Sequence, residues 1–168
     1  MSLDIYTDGA CTVGANGGWS VVIPNNKKIM SGGALDTTNN EMELFAIYIA
    51  LDYCLKRHIK DVNIYTDSGY SIGVFTKWAP KWKANSWKKK GGIKNLELIR
   101  NAYETLEALN SYTSVSFHKV KGHSGDKYNE MADYIAVEAK NEINNPDCVV
   151  KDSYILKKDD DYRYIFIY

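Results

Sequence analysis

Alternating apolar and polar residues predict the strands of this chain. Residues 3–8 (LDIYTD) alternate with the period of two that is expected of a strand buried on one face. Comparable short apolar runs recur along the chain, and the predicted strands are 3–8, 18–24, 27–34, 62–67 and 114–120. Asn25-Asn26 separates the second strand from the third and is typical of a hairpin turn. We therefore expect these two strands to be antiparallel neighbours.

Longer segments carry apolar residues at helical spacing. Residues 40–57 are apolar on most sides, which predicts a buried helix whose start Asn39 or Asn40 could cap. Residues 95–110 and 127–143 each place apolar residues on one face and predict two further helices. A hairpin meander followed by helical crossovers is typical of an α/β protein. We expect a mixed five-stranded sheet with helices on both faces.

Length and composition indicate one globular domain. The chain has 168 residues and 45% hydrophobic content, which is enough to form a core. Its first residues, MSLDIYTDG, have neither the basic nor the apolar region of a signal peptide, and the longest apolar run, 44–51, is too short to cross a membrane. The three cysteines, Cys11, Cys54 and Cys148, form no CxxC pair and are interpreted as packing residues. We therefore expect a cytoplasmic monomer with no membrane partner.

Charge is unevenly distributed, although the net charge is zero. Between Ser68 and Leu96 there is no acidic residue. The lysines of this basic segment are Lys77, Lys81, Lys83, Lys88, Lys89, Lys90 and Lys94. Tryptophans are interleaved with them, and we predict that residues 78–94 are irregular in structure. A basic block with interleaved aromatic residues is typical of a surface that binds a nucleic-acid backbone.

Four acidic residues stand within distinctive short motifs. They are Asp8 in YTDGAC, Glu43 in TTNNEMEL, Asp67 in YTDSGY and Asp133 in KGHSGDKYNEMAD. Acidic side chains among apolar residues are costly to bury unless a cation neutralises them. Oxygen ligands without a majority of cysteine or histidine favour Mg²⁺ or Mn²⁺. Taken singly, Glu43 and Asp133 could instead be surface residues of amphipathic helices, so the motifs around them carry the prediction.

In this order the four motifs closely resemble type 1 ribonuclease H, over residues 3–143. The resemblance implies a ribonuclease H-like fold and an endonuclease that cuts the RNA strand of RNA–DNA hybrids. It implies two Mg²⁺ ions, with Mn²⁺ able to substitute, and product ends that are a 5′-phosphate and a 3′-hydroxyl. The metal ligands that it implies are Asp8, Glu43, Asp67 and Asp133. His123, in the KGHSG loop, would assist proton transfer or product release.

The resemblance also implies how the hybrid is bound. Asn39 and Asn40 match paired amides that reach the minor groove, although either could instead cap a helix. Thr38 matches a hydroxyl that holds a phosphate of the DNA strand. Asn16, in the glycine-rich turn after the first strand, would be a further amide that contacts the minor groove. Contacts from the basic segment would come from Trp78, Lys81, Trp82, Lys83, Trp87, Lys88 and Lys89. Core packing is the alternative for Trp82 and Trp87.

Three positions depart from the family's pattern. The turn over residues 12–19 is shorter and lacks the usual prolines. Gly69 stands where an amide or a larger side chain is frequent, and Lys81 replaces a polar residue associated with the DNA phosphate pocket. We expect these departures to alter substrate affinity and the register of cleavage, and to leave the metal ligands unaffected.

Two other classes of function share parts of this pattern. Integrases, transposases and junction resolvases have the same fold and acidic clusters but act on DNA, and they would not need the asparagine pair, the KGHSG loop and the basic segment together. A hybrid-binding module without activity would be expected to lack at least one of the four carboxylates, and all are present.

The C-terminal residues differ from the rest of the chain. Residues 144–168 lie outside the resemblance and follow the predicted catalytic domain, 1–143. The sequence YRYIFIY (162–168) is aromatic and has high strand propensity. An exposed strand edge of this kind invites aggregation. We therefore expect the extension to pack on the catalytic domain or, alternatively, to bind a partner.

Overall fold

The first three strands form an antiparallel meander, and the later strands are added on either side of it. The computed structural model describes residues 2–12, 16–122 and 125–142, together with the backbone of 153–158 and 164–167. Its strands are β1 (Leu3–Cys11), β2 (Gly17–Ile23), β3 (Lys28–Ala34), β4 (Val62–Thr66), β5 (Val115–Lys119), β6 (Ser153–Lys158) and β7 (Tyr164–Ile167). The sheet order is β5-β4-β1-β2-β3-β6-β7, with β4 parallel to β1 and to β5. The mixed sheet is confirmed, and β6 and β7 extend it beyond the five predicted strands.

Helices cover both faces of this sheet. They are α1 (Asn39–Lys56), α2 (Gly69–Gly73), α3 (Ala79–Ala84), α4 (Leu96–Asn110) and α5 (Lys127–Glu142). Adjacent residues of a strand point to opposite faces. A Cβ atom on Gly17 would lie 2.8 Å from Cγ of Met42 in α1, whereas one on Gly18 would meet the backbone of α5 at Ala136. Helix α1 therefore packs on one face of β2 and α5 on the other.

Helix α1 is the central element of the core. Its side chains are buried on almost every side, as the apolar pattern predicts, and Phe45 packs edge-on against Trp19 of β2 with ring centroids 5.3 Å apart. Within the described residues, no helix is both long and apolar enough to span a membrane.

The cap of α1 differs from the prediction. The hydroxyl of Thr38 accepts the backbone N–H of Glu41 at 3.2 Å, so the N-cap is Thr38 and the predicted cap at Asn39 or Asn40 is wrong. Both asparagines are exposed residues of the first helical turn. A threonine just before the helix has the extended backbone that a cap requires, and its hydroxyl reaches the orphan N–H groups. The two amides are therefore not used as caps.

The prediction of an irregular 78–94 segment is wrong for its first residues. Helix α2 continues through a π-helical turn, Val74–Trp78, into α3. The start of α2 is capped by Ser68, whose hydroxyl accepts the N–H of Ser71 at 3.1 Å. Pro80 lies in the first turn of α3, directly after the π-helical turn. Pro80 therefore does not interrupt the helical run.

The C-terminal strands extend the free side of β3. Ser31–Ala34 pairs in parallel with residues 153–156, and β7 pairs with β6 in antiparallel orientation. Of the YRYIFIY sequence, residues 164–167 form β7, and the remainder lies outside the described residues. The division of the chain into a catalytic domain, 1–143, and an extension, 144–168, stays a prediction.

Deletion of residues 147–168 should lower the melting temperature, because it removes the backbone hydrogen bonds that β6 makes with β3. We expect a decrease of about 4 °C or more. This corresponds to a loss of about 1–2 kcal/mol in the free energy of unfolding, at about 2–4 °C per kcal/mol in a domain of this size. Truncation after Lys158, which keeps β6, should cost less. Thermal unfolding followed by circular dichroism measures both, and an unchanged melting temperature in the longer deletion would contradict the packing of the extension.

Candidate active site

Three carboxylates meet at one edge of the sheet. Asp8 lies in β1, Asp67 directly follows β4, and Glu43 lies in the second turn of α1. One oxygen from each lies within 4.8 Å of the others, and these residues are called the carboxylate cluster below. Because β1 and β4 are parallel neighbours, the carboxyl ends of both strands lie at the same edge. The fold thus gathers residues that are far apart in the sequence.

Glu43 reaches this edge because α1 approaches β1 closely. A Cβ atom on Gly9 would lie 2.6 Å from the carbonyl carbon of Met42 and would also collide with the backbone nitrogen of Glu43. Only glycine at position 9 leaves room for the helix at this distance. The residue after Asp8 therefore determines where Glu43 stands.

Burial makes this cluster electrostatically costly. Asp8 is 2% exposed and Glu43 is 4% exposed. Burial, reinforced by the negative charges of Asp67 and Asp133, raises the pKa of Asp8 to about 7, although a hydrogen bond with Glu43 opposes the shift. Burial, together with the charge of Asp8 and a hydrogen bond with it, also raises the pKa of Glu43 well above its ordinary value. Both carboxyl groups therefore resist ionisation while no cation is present.

The donor set fits a divalent cation. Oε2 of Glu43 is buried and has no hydrogen-bond partner among the described residues. Such an orphaned acceptor is unusual in a folded protein, and a bound cation would satisfy it. Carboxylate oxygens are the ligands that Mg²⁺ and Mn²⁺ prefer. The residues that would hold the ion are those of the carboxylate cluster, with Asp133 beside them.

Asp133 approaches the cluster from α5. It is half-buried, and its charge and a hydrogen bond both raise the pKa of Asp8. The helix is fixed by a hydrogen bond from Ser20 Oγ of β2 to the carbonyl of Ala132, at 2.5 Å. At its start, Asp126 accepts the backbone N–H of Tyr128 at 3.1 Å. All four acidic residues predicted as metal ligands therefore lie at one edge of the sheet.

The loop before α5 passes close to Asp67. A Cβ atom on Gly122 would lie 3.2 Å from Oδ2 of Asp67. His123, the next residue, lies outside the described residues, so its predicted role stays a prediction.

An open groove adjoins the carboxylate cluster. It is lined by Thr38, Asn39, Asn40, Tyr70, Trp78, Trp82, Lys89, Lys90, Gly91, Gly92, Ile93, Lys94 and Asn95, and it is called the aromatic groove below. Ring centroids of Tyr70 and Trp78 lie 6.2 Å apart, and those of Trp78 and Trp82 lie 6.4 Å apart. Lys89 places its ammonium 5.8 Å from the centre of the Trp82 ring. The groove thus combines apolar ring faces, amides and positive charge.

The aromatic groove contains about half of the predicted substrate residues. Those that line it are Thr38, Asn39, Asn40, Trp78, Trp82 and Lys89, and those outside its lining are Asn16, Lys81, Lys83, Trp87 and Lys88. Lys83 instead pairs with Glu107 of α4, and Trp87 packs edge-on against Tyr103. The carbonyl of Asn16 accepts the N–H of Thr12 across the first hairpin. For all eleven residues, contact with the hybrid stays a prediction.

Two residues that line the aromatic groove, Tyr70 and Ile93, were not predicted from the sequence. Tyr70 is the last residue of the Asp67 motif, and its position eight residues before Trp78, about two helical turns, is the only hint that both rings share a face. Ile93 reaches the groove from the turns that follow α3, and no periodic pattern marks it.

Comparison with known proteins gives a consistent result. A family model described as RNase H matches residues 1–141. The chain is 41% identical to a ribonuclease H of Ruthia magnifica subsp. Calyptogena magnifica over 145 residues, 83% of this chain and 96% of that one. It is 44% identical to a ribonuclease H of Rippkaea orientalis over 148 residues, 84% of this chain and 87% of that one.

Solved structures agree with the sequence relatives. The crystal structure of LC9-RNase H1, described as a type 1 RNase H with the type 2 active-site motif, superposes with a TM-score of 0.69 at 28% identity, over 83% of this chain and 72% of that one. A foamy viral protease-reverse transcriptase in complex with dsDNA gives a TM-score of 0.70 at 19% identity, over 84% of this chain and 96% of that one, and shows the fold alone.

Without metal, the Asp8→Asn variant should be more stable than the wild type at pH 8 but not at pH 4. The folded pKa of Asp8, about 7, lies above the ordinary value of 3.8, so stability falls as pH rises between these values. An amide does not titrate and escapes this loss, which is on the order of 4 kcal/mol for a pKa raised by about three units. Urea unfolding in chelator at both pH values measures it, with Glu138→Gln on the exposed side of α5 as the control. A variant no more stable than the wild type at pH 8 would contradict the electrostatic account.

Proposed function

The chain belongs to the ribonuclease H family, and from that membership and its carboxylate cluster we propose that it is an endonuclease that hydrolyses the RNA strand of RNA–DNA hybrids. The observation that carries the proposal is the convergence of Asp8, Glu43 and Asp67 within 4.8 Å, next to a groove that contains paired amides and lysines. An acidic site alone would repel a nucleic acid. The adjoining basic groove supplies the attraction that brings the backbone to it.

Two Mg²⁺ ions are the proposed cofactor, held by Asp8, Glu43, Asp67 and Asp133, with Mn²⁺ able to substitute. The chemistry that such a pair supplies is activation of a water molecule and neutralisation of the charge that develops on the phosphate. The support for this proposal is the orphaned, buried oxygen of Glu43 and the raised pKa values of Asp8 and Glu43. The expected product ends are a 5′-phosphate and a 3′-hydroxyl.

The protein's own residues position these groups and exclude water from them. The near-complete burial of Asp8 and Glu43 keeps competing solvent from their oxygens, and the surrounding core prevents either side chain from moving outward. Asp133 closes the cluster from α5 and is more accessible. His123 is proposed to move a proton near the cut or to assist release of the product, because an imidazole can both donate and accept a proton.

Recognition of the hybrid is assigned to the start of α1. Amides both donate and accept hydrogen bonds, so the exposed Asn39 and Asn40 can recognise a 2′-hydroxyl, the group that distinguishes RNA from DNA. The oxygen of Thr38 accepts a hydrogen bond from Glu41, which leaves its own O–H free to donate to a phosphate oxygen. Contacts of this kind are to sugar and phosphate, and cleavage should therefore depend little on base sequence.

Cleavage of end-labelled RNA in a hybrid tests the activity directly. We expect cutting of the hybrid's RNA with Mg²⁺ or Mn²⁺, none with chelator, and none of RNA–RNA, DNA–DNA or single strands. Asp8→Asn should reduce kcat at least about 100-fold, because it removes a negatively charged metal ligand. It should still bind the hybrid, whereas Glu138→Gln should cut as the wild type does. Near-normal activity of Asp8→Asn would contradict the metal site, and cutting of DNA would move the protein to the integrase or resolvase class.

Replacement of both asparagines tests the recognition of ribose. The double variant Asn39→Ala, Asn40→Ala should bind the hybrid about 10- to 30-fold more weakly, since each lost hydrogen bond is worth about 1 kcal/mol. Its affinity for DNA duplex of the same sequence should be unchanged. Fluorescence anisotropy in chelator measures both, with Asn101→Ala on the exposed face of α4 as the matched amide control. An equal loss for hybrid and DNA would show that the amides do not read the 2′-hydroxyl.

A further inference from the structure

The space beside Gly69 is occupied by a lysine from another strand. The Nζ atom of Lys119 lies 3.2 Å, and its Cε atom 3.8 Å, from the position that a Cβ atom on Gly69 would take. Gly69 has no side chain of its own to occupy this space. The ammonium group of Lys119 therefore lies directly beside the point at which a side chain at position 69 would begin.

The fold holds Lys119 at the edge that carries the carboxylate cluster. Lys119 is the last residue of β5 and pairs with Thr66 of β4, the residue before Asp67. The N–H of Val120 donates to the carbonyl of Thr66 at 2.9 Å, which fixes the ends of both strands together. His118 stacks on Tyr65 on one face of the sheet, so the next side chain, Lys119, points to the other face, towards α2.

The charge of Lys119 is available to a ligand. The residue is exposed, and among the described residues it forms no ion pair, although acidic residues of the cluster lie at the same edge. Gly69 stands between Asp67 of the carboxylate cluster and Tyr70, which lines the aromatic groove. A strand of nucleic acid that runs from the groove to the carboxylates would therefore pass within reach of this ammonium group. At a phosphate, it would offset the repulsion from the cluster.

We propose that Lys119 binds a phosphate of the RNA strand next to the phosphate that is cut. It would supply from β5 a contact that the side chain of position 69 cannot make in this chain. Lysine acts as a point charge on a flexible stem, so it holds the strand without demanding one geometry. This inference rests on the proposed function and assigns a residue outside the basic segment to substrate positioning.

Steady-state cleavage at several salt concentrations tests the proposal. Lys119→Ala should raise KM for the hybrid about three- to tenfold and leave kcat within about twofold, because the contact holds substrate before and during the reaction. The slope of log KM against log salt should fall by about one, the signature of one lost phosphate contact. Lys119→Arg should retain most of the affinity. Adding Gly69→Gln to Lys119→Ala should recover part of it.

Lys60→Ala is the control, since Lys60 is an exposed lysine that precedes β4 at the other end of the strand. An unchanged KM and salt slope in Lys119→Ala, an equal loss in Lys60→Ala, a loss of kcat alone, or no gain from Gly69→Gln would each overturn the proposal. A melting temperature equal to that of the wild type establishes that Lys119→Ala is folded.

Failure of the proposed function gives a different result. If the wild type cuts no hybrid, the activity is wrong whatever Lys119 does. Anisotropy of labelled hybrid in chelator then still tests the lysine, because affinity and its salt dependence do not require cleavage. A loss of affinity and of about one unit of salt slope in Lys119→Ala supports the contact, and an unchanged affinity overturns it.

Discussion

The close approach of α1 to β1 at Gly9 is the contact on which the site depends. Any side chain at that position would begin 2.6 Å from the carbonyl carbon of Met42, so the helix would have to move outward. Glu43 would move with it, and its oxygen would no longer lie near those of Asp8 and Asp67. Two further elements are tied to the same edge, since β4 carries Asp67 and pairs with β1, and α5 packs across β1 and β2. Catalytic geometry here is thus a consequence of backbone packing.

The packing around α1 also keeps the carboxylates buried, where their ionisation costs free energy. Phe45, Leu44 and Met42 are fully buried around Glu43, so a rotation of the helix that exposed the acid would expose these apolar side chains too. Burying each of them stabilises the fold by about 2 kcal/mol, which outweighs the gain from solvating one carboxyl group that can remain protonated. The hydrophobic core thereby holds the acidic side chains close together, and a cation that displaces their protons would relieve the mutual repulsion of the carboxylates.

The sequence predicted the parts of the site that follow from local pattern. Strand and helix periodicity gave the five strands and the buried helix, and four short motifs identified the acidic residues. Local pattern could not place the cap at Thr38, because Thr38, Asn39 and Asn40 all have side chains able to cap, and only the backbone decides among them. It also could not show that Lys83 is held by Glu107, or that Lys119 fills the space beside Gly69, since both depend on residues distant in sequence. Local pattern also did not show the helical turns across residues 74–84, in which Pro80 lies in the first turn of α3.

Helix α1 fixes the distance between Asn39 and Asn40 at its start and Glu43 in its second turn. Asn39 and Asn40 precede Glu43 by about one turn, and the rise of 1.5 Å per residue separates them from it by about 4.5–6 Å along the axis. Successive nucleotides of a strand rise about 3.4 Å, so this separation corresponds to one or two nucleotides. With Asn39 and Asn40 assigned to ribose recognition as proposed, the spacing between the sugar that they contact and the phosphate that is cut would be set by about one turn of α1. The distance from ribose to cut becomes a fixed property of the backbone, independent of the bases in between.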